Sequence, residues 1–274
     1  MSIKVALTDD PAHVLTQAKA FLASEPVLHN IILTLLHERV AYGEPGRYWV
    51  AMDGATAAGV VSQSPPTSAA NLSLMEPEVI AAVVDAISNA GASLPGVNGE
   101  AATAARFAGQ WTERHKSAAV PFQHQRLYEV REVQEQHAAR GHLRKAVPGD
   151  RDLLVGWMRG YQADIGERVS DPELVVDRRL PVGLFWIWDD GEPGSMAAHS
   201  APVEGVVRVR DVYTPPERRN RGYAGACVSN LSRHIRDSGY RCILYTDLDN
   251  PVSNSIYRRI GYSALAEALR YRFE

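Results

Sequence analysis

The chain has 274 residues, a net charge of −3 and two cysteines, with 45% hydrophobic and 22% charged residues. This hydrophobic fraction supports a packed core and excludes wholesale disorder, and the slightly acidic balance gives no global attraction to nucleic acid or anionic membrane. No run approaches the roughly 18 apolar residues of a membrane span, the N-terminus shows no apolar signal core, and Cys227 and Cys242 fall where buried reduced thiols are expected, so a cytoplasmic protein is the reading.

At this length the chain is one large domain or two of ordinary size. Residues 11–42 read as helical, with a break at Ser24-Glu25-Pro26 and a second helix from Val27 that carries Leu28, Ile31, Ile32, Leu35 and Leu36. Residues 47–61 read as two strands around an Asp53-Gly54 turn, and 71–75 as another short strand. Helices are expected from Glu78 to Ile87 and from Ala101 to His115, then a strand from Phe122 to Val133. The polar piece from Glu135 to Gly141 is the linker candidate.

The second half begins again in the same order. A strand is expected over 142–146, a helix over 150–165 capped by Asp150, and a helix over 172–179. Strands follow at 183–188 and 195–199, hinged at Asp190-Gly191, and at 206–213. Tyr48-Trp49-Val50, Asp53-Gly54 and Pro65 align without gaps on Phe185-Trp186-Ile187, Asp190-Gly191 and Pro202, at a spacing of half the chain. Two copies of one α/β (α+β) fold are therefore expected, at 1–138 and 139–274.

The stretch richest in chemistry follows the 206–213 strand. Residues 214–226 bring Arg218, Arg219 and Arg221 together with Gly222 and Gly225, and open a helix with Ala224, Cys227, Val228, Leu231 and Ile235 on one face. The glycines let backbone approach a ligand, and the first N–H groups of a helix are unpaired, so this is an anion site. Neither Gly-x-x-x-x-Gly-Lys-Ser/Thr nor Gly-x-Gly-x-x-Gly is present, which argues against a P-loop NTPase and a dinucleotide dehydrogenase. The spacing Arg219-x-x-Gly222-x-Ala224 resembles the pyrophosphate-binding signature of the GNAT superfamily of N-acyltransferases.

A second signature lies downstream. After a strand over 241–247, Asn250, Ile256, Tyr257, Gly261 and Tyr262 match the GNAT pattern Asn-x-x-Ala-x-x-Leu-Tyr-x-x-x-Gly-Phe, with Ser253 in place of the usual alanine. The motifs cover residues 206–262, and the strand pattern extends the resemblance over about 140–274. No such signature occurs in the first half, which reads as a degenerate GNAT-like lobe. The resemblance implies two tandem lobes, each with a mixed, mostly antiparallel central sheet flanked by helices.

It also implies acetyl-CoA (coenzyme A) as cofactor. Val212, Tyr213 and Thr214 would offer backbone groups to the pantetheine arm and thioester. Arg219, Asn220, Arg221, Gly222, Tyr223, Ala224 and Gly225 would receive the pyrophosphate, with Asn250 and Ser253 beside the pantetheine. Tyr257 would stand at the CoA sulfur and assist the leaving thiolate. Many family members place a glutamate where Arg208 stands here, so Asp211 and His199 are the candidate bases. No metal is expected. The leading function is acetyl transfer to an amine of a small molecule or peptide, without nucleic-acid or membrane partners. The alternative is a non-catalytic acyl-CoA-binding or sensing module.

Overall fold

The computed structural model describes residues 3–134, 139–166 and 170–274. The chain forms two compact units: unit 1 holds 1–127, 247–249 and 265–274, and unit 2 holds 128–246 and 250–264.

Unit 1 opens with β1 (Ile3–Thr8), then α1 (Pro11–Gln17), α2 (Lys19–Ser24) and α3 (Asn30–Tyr42). There follow β2 (Arg47–Asp53), β3 (Thr56–Gln63), β4 (Ala70–Leu72), α4 (Pro77–Asn89), β5 (Gly96–Glu100), α5 (Ala101–His115) and β6 (Ala119–Val130). Its strands run in the order β1-β2-β3-β4-β5, antiparallel except for the parallel pair β4 and β5. Val79, Ile80, Val83, Val84 and Ile87 recur at helical spacing in α4 and bury against Trp49, Val61, Leu72 and Val97 of the sheet. The helix expected from Val27 starts at Asn30 instead. Residues 25–29 turn so that buried His29 reaches the carbonyl of Leu22, with Nδ1 3.1 Å away.

Unit 2 repeats the element order with β7 (His142–Lys145), α6 (Arg151–Ile165), α7 (Pro172–Arg179), β8 (Phe185–Asp189), β9 (Pro193–His199) and β10 (Val206–Tyr213). Then come α8 (Tyr223–Asp237), β11 (Arg241–Asp247), α9 (Pro251–Ile260) and β12 (Tyr262–Phe273), whose residues from Leu265 on belong to unit 1. The strand order is β11-β10-β9-β8-β7, again with one parallel pair, β10 and β11. On α8, Cys227, Val228, Leu231 and Ile235 are buried against Val207, Val209, Cys242 and Leu244. A Leu231→Ala cavity there costs about 2–5 kcal/mol. On the opposite face of the same sheet, Phe185 and Ile187 of β8 and Met196 and Ala198 of β9 pack on Leu154 and Met158 of α6.

Asp150 does not cap α6 with its side chain. It closes a 3₁₀ turn, accepts the Val147 N–H at 2.8 Å and pairs with Arg144, which also holds Asp189. Three strands were not legible in sequence: β1, β5 and β12. Residues 268–272 of β12 pair antiparallel with β5, so the last strand of the chain completes the sheet of its first unit. The expected linker at Glu135 to Gly141 lies in part outside the described residues.

Candidate cofactor and acyl-transfer site

The alternation of β10 changes just before the loop. Val207 and Val209 face α8, and the register against β9 then shifts between Arg210 and Tyr213, with Asp211 in the left-handed region at φ 51°. One extra residue in a strand turns every later side chain to the other face. After the bulge Val212 packs on the α8 core, while Tyr213 turns to the α6 side against Trp157. The pairing of β10 with β11 runs from Val206 opposite Arg241 to Val209 opposite Leu244. Both strands continue, to Tyr213 and Asp247, so the backbone of β10 beyond the bulge lies past the described β11 ladder.

Residues 214–222 carry the chain from β10 to α8. Pro216–Arg218 is a 3₁₀ turn, and Asn220 (φ 63°) and Gly222 (φ 79°) are both left-handed. Gly222 is the N-cap of α8, and no side chain caps the helix. The opening N–H groups of α8 therefore have no intrahelical acceptor and stand at the positive end of the helix dipole. A donor set of backbone N–H groups with no acidic cap fits a diphosphate.

The arginine side chains are engaged elsewhere. Arg218 pairs with Glu192. Arg219 donates from Nη2 to Asp164 at 2.5 Å and from Nε to the Thr214 carbonyl at 3.0 Å. Arg221 donates to the Glu217 carbonyl at 3.5 Å. These contacts shape the loop, and the groups it leaves for an anion are main-chain N–H groups. The Tyr223 ring is core, its hydroxyl donates to Asp190, and a Cβ on Gly194 would lie 2.8 Å from that ring. Tyr223 thus has only its N–H to offer a ligand. A Cβ on Gly225 would meet Ile256 at an ordinary 3.7 Å, so packing does not demand glycine there.

Asn250 is the N-cap of α9: its Oδ1 accepts the Ser253 N–H at 3.0 Å, with Pro251 in the first turn. Its carbonyl accepts from Asn254 N (3.1 Å) and Nδ2 (2.8 Å), and Asn254 Oδ1 accepts from Tyr128 at 2.9 Å. Tyr257 is buried beside Cys227, 6.0 Å edge-on from Tyr262. Burial pushes its phenol up to about 12, opposed by a hydrogen bond with Ser253 one turn earlier. The phenol therefore stays protonated at neutral pH and serves as a hydrogen-bond donor. Cys227 and Cys242 are buried free thiols, pushed up to about 12 and about 11 by the same effect, and are unreactive.

The acid–base candidates separate. Asp211 sits at the bulge but is buried between Arg179 (2.9 Å) and Arg210 (3.1 Å). Its carboxylate is a bulge clamp. His199 pairs opposite Val209, and its Nδ1 lies 2.9 Å from the Ser200 carbonyl. Burial lowers its pKa, and His234 in the last turn of α8 lowers it further. At about 1.5 Å per residue, that turn is roughly 16 Å along the helix from the loop. The structure thus gathers Val212 and Tyr257 on the α8 core, and leaves His199 at its far end. Sequence reasoning missed Asp164, Arg179, Glu192 and Ser195, which sit on other elements and carry no local signature. Among the described residues no group of three His, Cys, Asp or Glu could hold a metal ion, and no helix is long and apolar enough to cross a membrane.

Residues 187–271 match the family described as FR47-like protein. Over 119 residues the chain is 35% identical to a mycothiol acetyltransferase from Cellulomonas flavigena, covering 41% of this chain and 34% of the relative. It thus spans about a third of that protein's length. Among solved structures, a GNAT-family acetyltransferase from Colwellia psychrerythraea is similar over 100% of both chains, with a TM-score of 0.65 at 11% identity. The chain has the fold of GNAT acetyltransferases. A GCN5-related N-acetyltransferase from Sphaerobacter thermophilus, covering 98% of this chain and 95% of its own at a TM-score of 0.58 and 15% identity, shares the GNAT fold. The family match contains the bulge, the loop and α9, so both GNAT signatures lie inside it.

Proposed function

We propose that this protein is an acetyl-CoA-dependent N-acetyltransferase acting on an amine of a small molecule or peptide. The observation that carries the reading is the junction of β10 and α8: a strand leaves its ladder at a bulge and runs into an uncapped helix start through a left-handed glycine. Acetyl-CoA, when bound, supplies an activated acyl thioester. The N–H groups opening α8 hold its pyrophosphate, and the β10 backbone at Val212 to Thr214 aligns its arm. Tyr257 donates a hydrogen bond toward the leaving sulfur. A phenol near 12 is a weaker acid than a thiol near 8.5, so this residue stabilises the thiolate more than it protonates it. With Arg208 in place of an acid and Asp211 held in two ion pairs, the acceptor amine enters as its free base. Residues 1–138 then form a lobe without a cofactor site, and 139–274 the cofactor-binding domain.

The likeness of 119 residues to a mycothiol acetyltransferase supports acetyl transfer. The engaged Asp211 favours one competing reading, a non-catalytic module that reports acyl-CoA levels. Calorimetry with acetyl-CoA, followed by CoA-release assays across an amine library, separates the two. Binding without turnover on any amine selects the sensing module, and no binding rejects both.

A further inference from the structure

We infer that Asp164 and Ser195 are positioning residues for the cofactor loop, acting through Thr214 and Arg219. The inference rests on the acetyl-CoA reading and gives the signature arginine a different task from phosphate binding. Ser195 is fully buried on β9, and its hydroxyl donates to the Tyr213 carbonyl at 3.0 Å. It has one hydrogen to give, so the Thr214 hydroxyl, 2.9 Å away, donates to Ser195. The Thr214 carbonyl accepts from Arg219 Nε at 3.0 Å, and the same guanidinium donates to Asp164 at 2.5 Å. This chain of bonds runs from the sheet interior to α6 and ties both ends of the turn between Thr214 and Arg219. The guanidinium is directed back onto the strand end and α6, with Tyr213's ring centroid 5.9 Å from it. What it secures is the entry of residues 220–222 into the left-handed geometry that sets the α8 N–H groups. Asp164 lies on α6 and makes no part of the loop, yet the loop's shape depends on it.

The two roles for Arg219 predict opposite signs. If Arg219 were a phosphate ligand restrained by Asp164, removing that carboxylate would release it and tighten binding. As a staple, Asp164→Asn weakens acetyl-CoA binding by about three- to fivefold, the scale of one exposed ion pair. The test is calorimetry on wild type, Asp164→Asn, Arg219→Gln and the double variant, with Asp164→Glu as the conservative rescue. The expected result is weaker binding in both single variants, no further loss in the double variant, and recovery in Asp164→Glu. In turnover assays KM for acetyl-CoA rises with kcat retained, and Ser195→Ala shows the same split. Equal or tighter binding by folded Asp164→Asn overturns the positioning role while leaving the cofactor reading intact. Wild type that fails to bind acetyl-CoA overturns both.

Discussion

Leu72 closes on Gly99: a Cβ added to that glycine would stand 3.1 Å from the Leu72 Cβ and 3.4 Å from its carbonyl oxygen. The pair belongs to the parallel strands β4 and β5, the counterparts in unit 1 of β10 and β11. Beyond Leu72 the main chain is already engaged, since Ser73 N–H donates to the Val60 carbonyl at 2.9 Å and Leu74 N–H to His29 Nε2 at 3.3 Å. Residues 73–76 lead directly into α4, and Pro77 in its first turn removes a donor. Acetyl-CoA is therefore expected to bind once per chain. Calorimetric stoichiometry checks this, and two equivalent sites would overturn it.

Gly222→Asp is expected to weaken acetyl-CoA binding by about a hundredfold or more while the protein stays folded. A side chain at φ 79° is strained, and the carboxylate would stand among N–H groups meant for an anion. The site is on the surface, so circular dichroism should be unchanged. Gly225→Ala, whose Cβ has ordinary room, should bind nearly as wild type.

Tyr257→Phe should lower kcat by about a hundredfold, the scale of one lost oxyanion-type donor, with the affinity for acetyl-CoA little changed. The ring and its contact with Tyr262 remain. Ser253→Ala removes the partner that opposes the rise of the phenol pKa, so its effect should have the same direction and be smaller. Normal turnover in Tyr257→Phe, with chemistry rate-limiting, would make the tyrosine a packing residue and favour the sensing module.

Stability should fall as pH is lowered from about 7 to 5. His29 accepts the Leu74 N–H at Nε2, so its proton sits on Nδ1 toward Leu22 and the ring is neutral. Burial lowers its folded pKa, as it does for His199. The unfolded chain therefore takes up protons below about 6.5 that the native state refuses, and stability is lost as pH falls toward the folded values. The carboxylates held low by arginines, among them Asp150 and Asp189, act only in the more acidic range. Thermal melts from pH 7.5 to 5 check this, and His29→Gln should flatten the slope.

The site was legible where its chemistry is local in the chain. A loop that must turn twice, open a helix and leave its N–H groups free needs glycine, proline and a following apolar stripe, and all three lie within residues 214–235. The cap of α9 and its left-handed end at Gly261 are likewise written in neighbouring residues. Element types followed for the same reason: the helix at 101–115 carries its own apolar face, and the strand at 241–247 its own apolar and aromatic run.

What depends on distant partners was decided only in three dimensions. Residues 264–268, Ala-Leu-Ala-Glu-Ala, have helix-forming composition, and β5 is interrupted by glycines, yet both are strands: β12 lies between β5 and β6 in the sheet and pairs with β5 from Ala268 onward. Ladder bonds and burial outweigh propensities of a few tenths of a kcal/mol per residue. The same holds for function. Asp211 looked like a base until Arg179, from α7, closed on it, and Arg219 looked like a phosphate ligand until Asp164 held its guanidinium. Charge at a position is set by sequence, but the partner that neutralises or redirects it is set by packing.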